Sequence, residues 1–410
     1  MNEAHDRLDA LRHLELGLAL ERANRIAEAV AHYRQAIAAD PLLPEAHNAL
    51  GFYYQRSGLL AKAAEEFRLV ASLNGGFLAY FNLGYVLVEL ERYDEAAAAF
   101  DQCANLVPDD PATHFELGLI HFARGDFARA LTHLELPLRN YPQDWEVHNL
   151  YGRCLLGLRR YDEATAAFGR ALLLADGPAA LAEVVDNLNT VERHREFRNL
   201  ASVKDQLYAE DGVIYLGSSG DDGLQLREAQ EYHFSYANIG TTLQRLIALA
   251  ASTGWRFSAI VAADTLARPL AAALAELLGT PLRKTEEVVA SDRALLVFAV
   301  AREVELLLLT VERLPCPVTA CCLGLTWSRH TKVLPDVVGI ATRGACSVPW
   351  EATLRRLRAE GAPTDTIEAC ISEATAAILQ AVRETPLDSN LPRQVRYYTR
   401  THRRVNVTSQ

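Results

Sequence analysis

The sequence predicts an α-helical repeat solenoid followed by an α/β domain with a mostly parallel sheet. Two observations lead to this fold class. A glycine recurs about every 34 residues through the first 178 residues, and short apolar segments alternate with helical segments in the second half of the chain. The chain has 410 residues, of which 50% are hydrophobic, and a formal net charge of −11. This length and apolar fraction allow two or three domains with real cores, and they exclude an intrinsically disordered chain.

The repeat is defined by three columns of small and large apolar residues. The periodic glycines are Gly17, Gly51, Gly84, Gly118 and Gly152, which are 34, 33, 34 and 34 residues apart. An alanine follows each glycine by twelve residues, at Ala29, Ala63, Ala96, Ala130 and Ala164, and a large apolar residue follows four later, at Tyr33, Phe67, Phe100, Leu134 and Phe168. Small residues let two helices cross closely, and the large side chain fills the space between them. Five helix-turn-helix units are therefore predicted, at about 10–43, 44–76, 77–110, 111–144 and 145–178.

Two of the five units depart from the pattern. A proline ends units one, three and four, at Pro41, Pro108 and Pro142, whereas the second unit is one residue short and ends in Asn74-Gly75-Gly76. The fourth unit carries Pro137 inside its predicted second helix. Since proline removes a helical hydrogen bond, we expect a local irregularity there.

The segment Tyr80–Asp110 (YFNLGYVLVELERYDEAAAAFDQCANLVPDD) resembles a tetratricopeptide repeat, and all five units match that family's helix-crossing positions. The resemblance implies that the first helices line a concave groove that binds a peptide or protein. The groove positions that it implies are Asn48, Phe52, Gln55, Phe81, Tyr85, Phe115, Leu119, Phe122, Asn149 and Arg153. The ring of Lys, Arg and Asn that clamps a C-terminal carboxylate in some members is absent, so we expect an apolar or amphipathic partner segment, or the chain's own C-terminal region. The alternative is that several of these rings only pack between repeats.

The acidic charge lies mainly on the repeat half. Residues 1–178 hold 25 acidic and 16 basic residues, so they account for −9 of the net charge of −11. This distribution favours a partner with basic residues or a solvated acidic surface, and it argues against nucleic acid as a partner of the whole molecule.

The second half predicts an α/β domain over 201–390, after a capping or linker helix at 179–200. Continuous apolar strands that alternate with helices are typical of a parallel sheet that is covered on both faces. The predicted strands are Val213–Leu216, Ser258–Ala263, Ala294–Val300, Val318–Leu325 and Val337–Thr342, and the predicted helices are Ala267–Leu278, Arg302–Leu314, Pro349–Arg358 and Thr364–Arg383. Residues 391–410 are predicted as a basic tail, because PRQVRYYTRTHRR holds five arginines and no acid. This tail could bind the acidic repeat half, an acidic partner or, less favourably, nucleic acid.

Two loops after predicted strands are candidate ligand sites. The first is GSSGDDG, with Ser218, Ser219, Asp221 and Asp222, and the second begins at Asp264. Such loops bind phosphorylated ligands in open parallel sheets, and the alternative is a flexible surface loop. The segment Phe257–Lys284 resembles the type I phosphoribosyltransferases, which implies that Asp264–Ala267 lies near a pyrophosphate. The family's paired acids and phosphate loop are absent after Ala294–Val297, so this resemblance implies a degenerate domain without transferase activity.

No catalytic residue, metal site or cofactor is predicted. The seven cysteines form no CxxC pair, and neither GxSxG nor HExxH occurs, which favours reduced thiols in a cytoplasmic protein. The loop Thr326–His330 either contacts a ligand or is anchored by its tryptophan. No uncharged apolar segment reaches 18 residues, so no membrane span is expected.

The function that this sequence predicts is a protein-interaction scaffold with a non-catalytic α/β domain. The alternative is an enzyme or sensor whose α/β domain binds a phosphorylated sugar or a nucleotide-type ligand.

Overall fold

A computed structural model describes residues 2–326, 333–400 and 405–407 of the chain. Most of the predicted loop Thr326–His330, and residues 401–404 and 408–410 of the predicted tail, lie outside these described residues. The chain divides into two compact units, one ending at Val191 and the other beginning at Glu192.

The first unit consists of antiparallel helix pairs, which confirms the predicted solenoid. The pairs are α1 (Asn2–Arg22) with α2 (Ile26–Ala39), α3 (Pro44–Arg56) with α4 (Leu60–Asn74), α5 (Phe77–Glu89) with α6 (Tyr93–Leu106), α7 (Pro111–Ala123) with α8 (Phe127–Asn140), and α9 (Trp145–Gly157) with α10 (Tyr161–Leu174). An eleventh helix, α11, spans Pro178–Arg195. Each pair packs tightly within itself and then against the next pair, as expected where a single hairpin cannot bury its own apolar face.

The periodic glycines lie where the two helices of a unit cross. A Cβ atom placed on Gly84 would lie 2.8 Å from ring carbons of Phe100, and one on Gly152 would lie 2.7 Å from the Phe168 ring. Both phenylalanines are fully buried. Since real Cβ atoms do not approach other atoms so closely, the glycine column is required by the aromatic column sixteen residues later.

The two departures from the repeat have different consequences. Helix α4 ends at Gly75, whose φ of +57° forms a left-handed C-cap without strain. Helix α8 runs through Pro137 from Phe127 to Asn140, so the expected irregularity does not interrupt the helix. Proline at this buried position removes one N–H donor from the ladder, and the remaining hydrogen bonds and packing maintain the helix.

Helix α11 occupies the position that the first helix of a sixth repeat would have. Val184 and Val191 are fully buried in the same apolar cluster as residues of α9 and α10. Glu183 lies 34 residues after Asn149 and accepts a hydrogen bond from it, so the spacing of the repeat continues into this helix. The helix that was predicted as a cap or linker therefore extends the row of first helices.

The second unit is built on a six-stranded parallel sheet, which confirms the predicted α/β architecture. Its strands are β1 (Ile214–Tyr215), β3 (Ala259–Ala262), β4 (Leu282–Arg283), β5 (Ala294–Ala301), β6 (Val318–Thr326) and β7 (Val337–Thr342). They are ordered β1-β7-β6-β5-β3-β4 with every pairing parallel. A separate parallel pair joins β2 (Tyr232–His233) and β8 (Cys346–Ser347).

Helices cover both faces of this sheet. They are α12 (Val203–Asp211), α13 (Tyr236–Thr253), α14 (Arg268–Leu278), α15 (Val304–Glu312), α16 (Glu351–Ala359), α17 (Thr364–Glu384) and α18 (Leu391–Tyr398). One apolar cluster includes residues of α13, α14 and α17, and a second includes Leu207 of α12 and Leu307 of α15. None of the helices in the described parts of the chain is both long and apolar enough to cross a membrane.

The start of the predicted basic tail belongs to the core of the second unit. In α18, Gln394 and Tyr398 are buried, and the Tyr398 hydroxyl accepts a hydrogen bond from the Tyr215 backbone N–H at 2.9 Å. The Gln394 side chain donates to the Leu216 carbonyl at 2.7 Å. The arginines of this helix therefore lie on an amphipathic helix that is fixed to the end of β1.

Candidate functional site

The residues predicted to line a groove all lie on the first helices of consecutive units. These helices are α3, α5, α7 and α9, and the surface that they share with the next first helix, α11, is called the first-helix face. Helix α7 contacts both α5 and α9, so the face is continuous across three units. Phe52 on α3 and Tyr85 on α5 are the most exposed aromatic residues of the predicted set, at 40% and 43% of their surface. An exposed row of this kind is available to a partner.

The other predicted rings are half-buried and pack within the solenoid. Phe81 meets Phe100 edge-on with ring centres 5.4 Å apart, and Phe115, Leu119 and Phe122 pack against the apolar core of units four and five. The Arg153 guanidinium lies over the Phe122 ring, 4.4 Å from its centre. These side chains therefore stabilise the contacts between helices and also shape the first-helix face.

Two of the three predicted amides, Asn149 and Gln55, form side-chain hydrogen bonds to a neighbouring first helix. The Asn149 side chain donates to Glu183 at 2.8 Å and accepts from Asn187 at 2.9 Å. Gln55 donates to Glu89 at 3.2 Å. The side-chain oxygen of Asn48 is buried and has no hydrogen-bond partner in the part of the chain that the structure describes.

The sequence reasoning missed one acidic residue on this face, Glu116 of α7. Only 9% of Glu116 is exposed, and no hydrogen bond or ion pair joins it to any of the described residues. Burial raises the pKa of its carboxyl to about 7. Glu116 lies 34 residues after Asn82 and 34 before Leu150, so the three residues occupy the same position of consecutive repeats. An acid at a position that holds an amide and a leucine in the neighbouring repeats is the sequence feature that could have identified it.

Further carboxylates surround Tyr85 near Glu116. Burial raises the pKa of the Tyr85 hydroxyl, and the negative charges of Glu89, Glu116 and Glu146 raise it further. These three carboxylates come from α5, α7 and α9, so the centre of the first-helix face has a negative potential. The positive charge of Arg153 lies beside Glu183 and partly offsets that acid.

The loop after β1 is held by Arg245 of α13, which is 1% exposed. Arg245 donates to an Asp221 side-chain oxygen at 2.7 Å, to the Leu216 carbonyl at 2.9 Å and to Asp388 at 2.6 Å. Asp221 also accepts from the backbone N–H groups of Ser218 and Gly223, at 2.7 and 2.8 Å. Both oxygens of Asp221 are thus engaged within the protein.

The other candidate residues of this loop, Ser218, Ser219 and Asp222, also form hydrogen bonds within the protein. The Ser218 hydroxyl pairs with the Tyr232 hydroxyl, and the Ser219 hydroxyl accepts from Asn238 at 2.7 Å. Asp222 accepts from two backbone N–H groups, of Leu224 and Gln225, and these bonds lower the pKa of its carboxyl. The loop is therefore ordered by its own hydrogen bonds.

Asp264 lies after β3 and accepts a hydrogen bond from the backbone N–H of Ala267 at 2.7 Å, just before α14. Because β1 and β3 are separated by β7, β6 and β5, the two loops are about 19 Å apart at the same end of the sheet. The structure does not bring Asp264 together with Ser218–Asp222.

Burial keeps several cysteine side chains protonated. It raises the pKa of Cys103, Cys154, Cys321 and Cys346 to about 12, which keeps these side chains as thiols near neutral pH. Among the described residues, no group of three or more His, Cys, Asp or Glu is placed to hold a metal ion.

Comparison with known proteins identifies the repeats of the first unit. A family model described as "Tetratricopeptide repeat" matches residues 81–136 and 115–180, and one described as "TPR repeat" matches residues 17–58. The first unit is a tetratricopeptide repeat (TPR) solenoid. The matched residues account for most of this solenoid and confirm the resemblance seen in its sequence.

A curated relative is similar to part of this chain. It is the TPR repeat-containing protein MJ1428 of Methanocaldococcus jannaschii, which is 27% identical over 125 residues, or 30% of this chain. The match spans about a fifth of the length of that relative, 22%.

Solved TPR structures resemble part of the chain. The crystal structure of the MamA protein has 22% identity and a TM-score of 0.39, over 40% of this chain and 91% of that one. YrrB, described as "a TPR protein with an unusual peptide-binding site", has 18% identity and a TM-score of 0.40, over 43% of this chain and 92% of its own. MamA from Desulfovibrio magneticus RS-1 has 18% identity and a TM-score of 0.39, over 40% and 94% of the two chains.

Proposed function

We propose that the protein is an interaction scaffold whose TPR solenoid binds a segment of a protein partner along the first-helix face. The observation that carries this proposal is the exposure of Phe52 and Tyr85 on neighbouring first helices. Aromatic side chains that are exposed in a row bind apolar groups of a partner at little cost in conformational entropy.

The contact residues divide by burial into two roles. Phe52 and Tyr85 would contact the partner directly, because two fifths of each side chain faces solvent. Phe81 and Phe122 would shape the surface, because their rings already pack against Phe100 and Phe127. Phe52 also packs edge-on against Phe67, with ring centres 5.1 Å apart, so substitutions of Phe52, Phe81 or Phe122 affect stability as well as binding.

A peptide selection on the full chain tests this function. Random twelve-residue peptides on phage are selected on the immobilised wild-type protein, and the affinity of the retained peptides is measured in solution. Replacing Phe52 and Tyr85 by alanine should weaken binding by about tenfold or more, because exposed aromatic residues dominate such interfaces. Tyr141→Ala is the matched control, since Tyr141 is equally exposed but follows the second helix α8.

Two results would overturn this function. One is a selection that retains no peptide. The other is an affinity that is the same for wild type and for the Phe52, Tyr85 double variant.

The role of the α/β domain stays a prediction. Its strand–helix–strand segment β3-α14-β4 has the order that the phosphoribosyltransferase-like resemblance implies. The polar groups of the loop after β1, however, form hydrogen bonds within the protein. We therefore propose a non-catalytic domain, in a protein for which a cytoplasmic location also stays a prediction.

A further inference from the structure

Glu116 is a buried charge that the solenoid itself leaves without a partner. It is more than nine-tenths buried, and within the described residues no donor or cation lies within hydrogen-bond distance of its carboxylate. Neither carboxylate oxygen is among the fully buried polar atoms that lack a partner in the described residues, so the end of this side chain still reaches the surface of the solenoid. Its burial nevertheless penalises the charged form, and a cation from outside could compensate that charge.

Glu116 lies on α7, one of the first helices, and close enough to Tyr85 of α5 for the two side chains to interact electrostatically. Its charge acts on the hydroxyl of Tyr85, which is one of the two most exposed rings of that surface. Glu116 therefore lies within electrostatic range of the position that a bound segment would occupy. Glu89 and Glu146, which act on the same hydroxyl, add negative charge from the helices on either side.

The charges along the face restrict where a positive group can bind. Arg153 on α9 stacks on Phe122 and lies beside Glu183, so the region near α11 already holds a cation. The region between α5 and α7 holds carboxylates and no basic side chain that contacts Glu116 among the described residues. Complementarity is therefore strongest for a cation beside Glu116 and Tyr85.

We propose that the partner segment carries a lysine or arginine that forms an ion pair with Glu116, flanked by apolar residues that contact Tyr85 and Phe52. This inference rests on the proposed function, because it specifies the chemistry of the segment that binds the first-helix face. A neutral or acidic segment would cover Glu116 without compensating its charge, so the site selects against such partners. The aromatic ring of Tyr85 can also interact favourably with the same cation.

The peptides selected on the wild-type protein test this proposal through their composition. Lysine and arginine should be enriched by about threefold or more over the unselected library, next to aromatic or aliphatic residues. Retained peptides that are neutral or acidic, and that still lose affinity when Phe52 and Tyr85 are replaced, would overturn this inference and leave the proposed function intact.

A second experiment tests the proposal by substituting Glu116. Glu116→Gln should weaken binding of a selected basic peptide by about tenfold or more, because one partner of a desolvated ion pair is removed. Glu135→Gln is the matched control: it removes the same charge from an exposed position on the second helix α8 of the same unit, where Glu135 pairs with Arg139 at 3.5 Å. Equal affinities for wild type and Glu116→Gln would contradict the proposal.

Two further measurements distinguish a separate partner from the chain's own tail and from a second copy of the chain. If replacing Arg400, Arg403 and Arg404 by glutamine strengthens binding of the basic peptide, the chain's own tail occupies the face. If the protein self-associates and Glu116→Gln dissociates it, the occupant is a second copy. Either result would overturn the assignment to a separate partner protein.

Discussion

Two buried charges show how the two units of this protein differ. Arg245 in the α/β domain is 1% exposed, and its two terminal NH2 groups donate to Asp221, Asp388 and the Leu216 carbonyl. Glu116 in the TPR solenoid is 9% exposed and has no partner among the described residues. A buried charge whose partners come from its own domain orders the fold, whereas one without partners is available to a ligand.

The difference follows from the two architectures. The α/β domain brings distant segments together, so that Asp388, 143 residues from Arg245, supplies a second acidic partner for it. In a solenoid each unit contacts mainly its neighbours, and the face formed by the first helices has no later segment of the repeat to cover it. Incomplete charge compensation on that face is therefore consistent with a surface that binds another molecule.

Replacing Arg245 by methionine should have the largest effect on stability. It leaves Asp221 and Asp388 without their cation, which should lower the free energy of unfolding of the α/β domain by about 3–5 kcal/mol. Urea unfolding followed by circular dichroism measures this change. Arg383→Met, at an exposed pair with Glu276, should change stability by less than about 1 kcal/mol. A similar small effect at Arg245 would show that the buried network does not stabilise the domain.

Glu116→Gln should stabilise the solenoid, in contrast to Arg245→Met. The pKa of Glu116 is raised from 4.5 to about 7 in the folded state, so the unfolded state ionises first and the wild type loses stability as pH rises from about 4.5 to about 7. The variant should be more stable by about 3 kcal/mol at pH 8 and by about 1 kcal/mol at pH 5. Unfolding at the two pH values, with Glu135→Gln as the control, measures the difference. A gain that does not depend on pH would contradict the raised pKa.

A smaller effect is expected at the helix crossings that form the first-helix face. Gly152→Ala should destabilise the solenoid by about 1–3 kcal/mol, because its Cβ would approach the Phe168 ring. Gly169→Ala, on helix α10 of the same unit with no atom within 4 Å of the new Cβ, should stabilise it by up to about 1 kcal/mol. Thermal unfolding of both variants compares them. If both variants change the stability of the solenoid by the same amount, the close approach of the two helices is not the reason why glycine recurs at this position of each repeat.

The solenoid was predictable because its signal is repeated. Each unit places the same residue types at the same spacing, so the periodic glycines and the ring of Phe168 identify helix crossings without long-range information. The burial of Glu116 was not predictable in this way. It depends on the side chains of neighbouring units, and Glu116 is one of 25 acidic residues in the first 178.

The α/β domain was predictable in its long strands and less so in its loops. The predicted strand Val337–Thr342 agrees with β7, whereas β4 and β8, at two residues each, carry too little pattern to be recognised. The glycine-rich loop with Asp221 has the composition of a ligand-binding loop. Its partner Arg245 lies 24 residues away on α13, and only the tertiary structure shows that the two are bonded.

The most direct measurement is a double-mutant cycle between Glu116 and the cation of a selected basic peptide. Binding is measured for wild type and Glu116→Gln, each with the peptide and with a variant in which its lysine or arginine is replaced by leucine. An ion pair predicts a coupling free energy of about 1.5 kcal/mol or more, so that each substitution loses its effect once the other is present. A coupling free energy near zero, with both substitutions acting independently, would contradict the assignment of Glu116 as the residue that selects a basic partner.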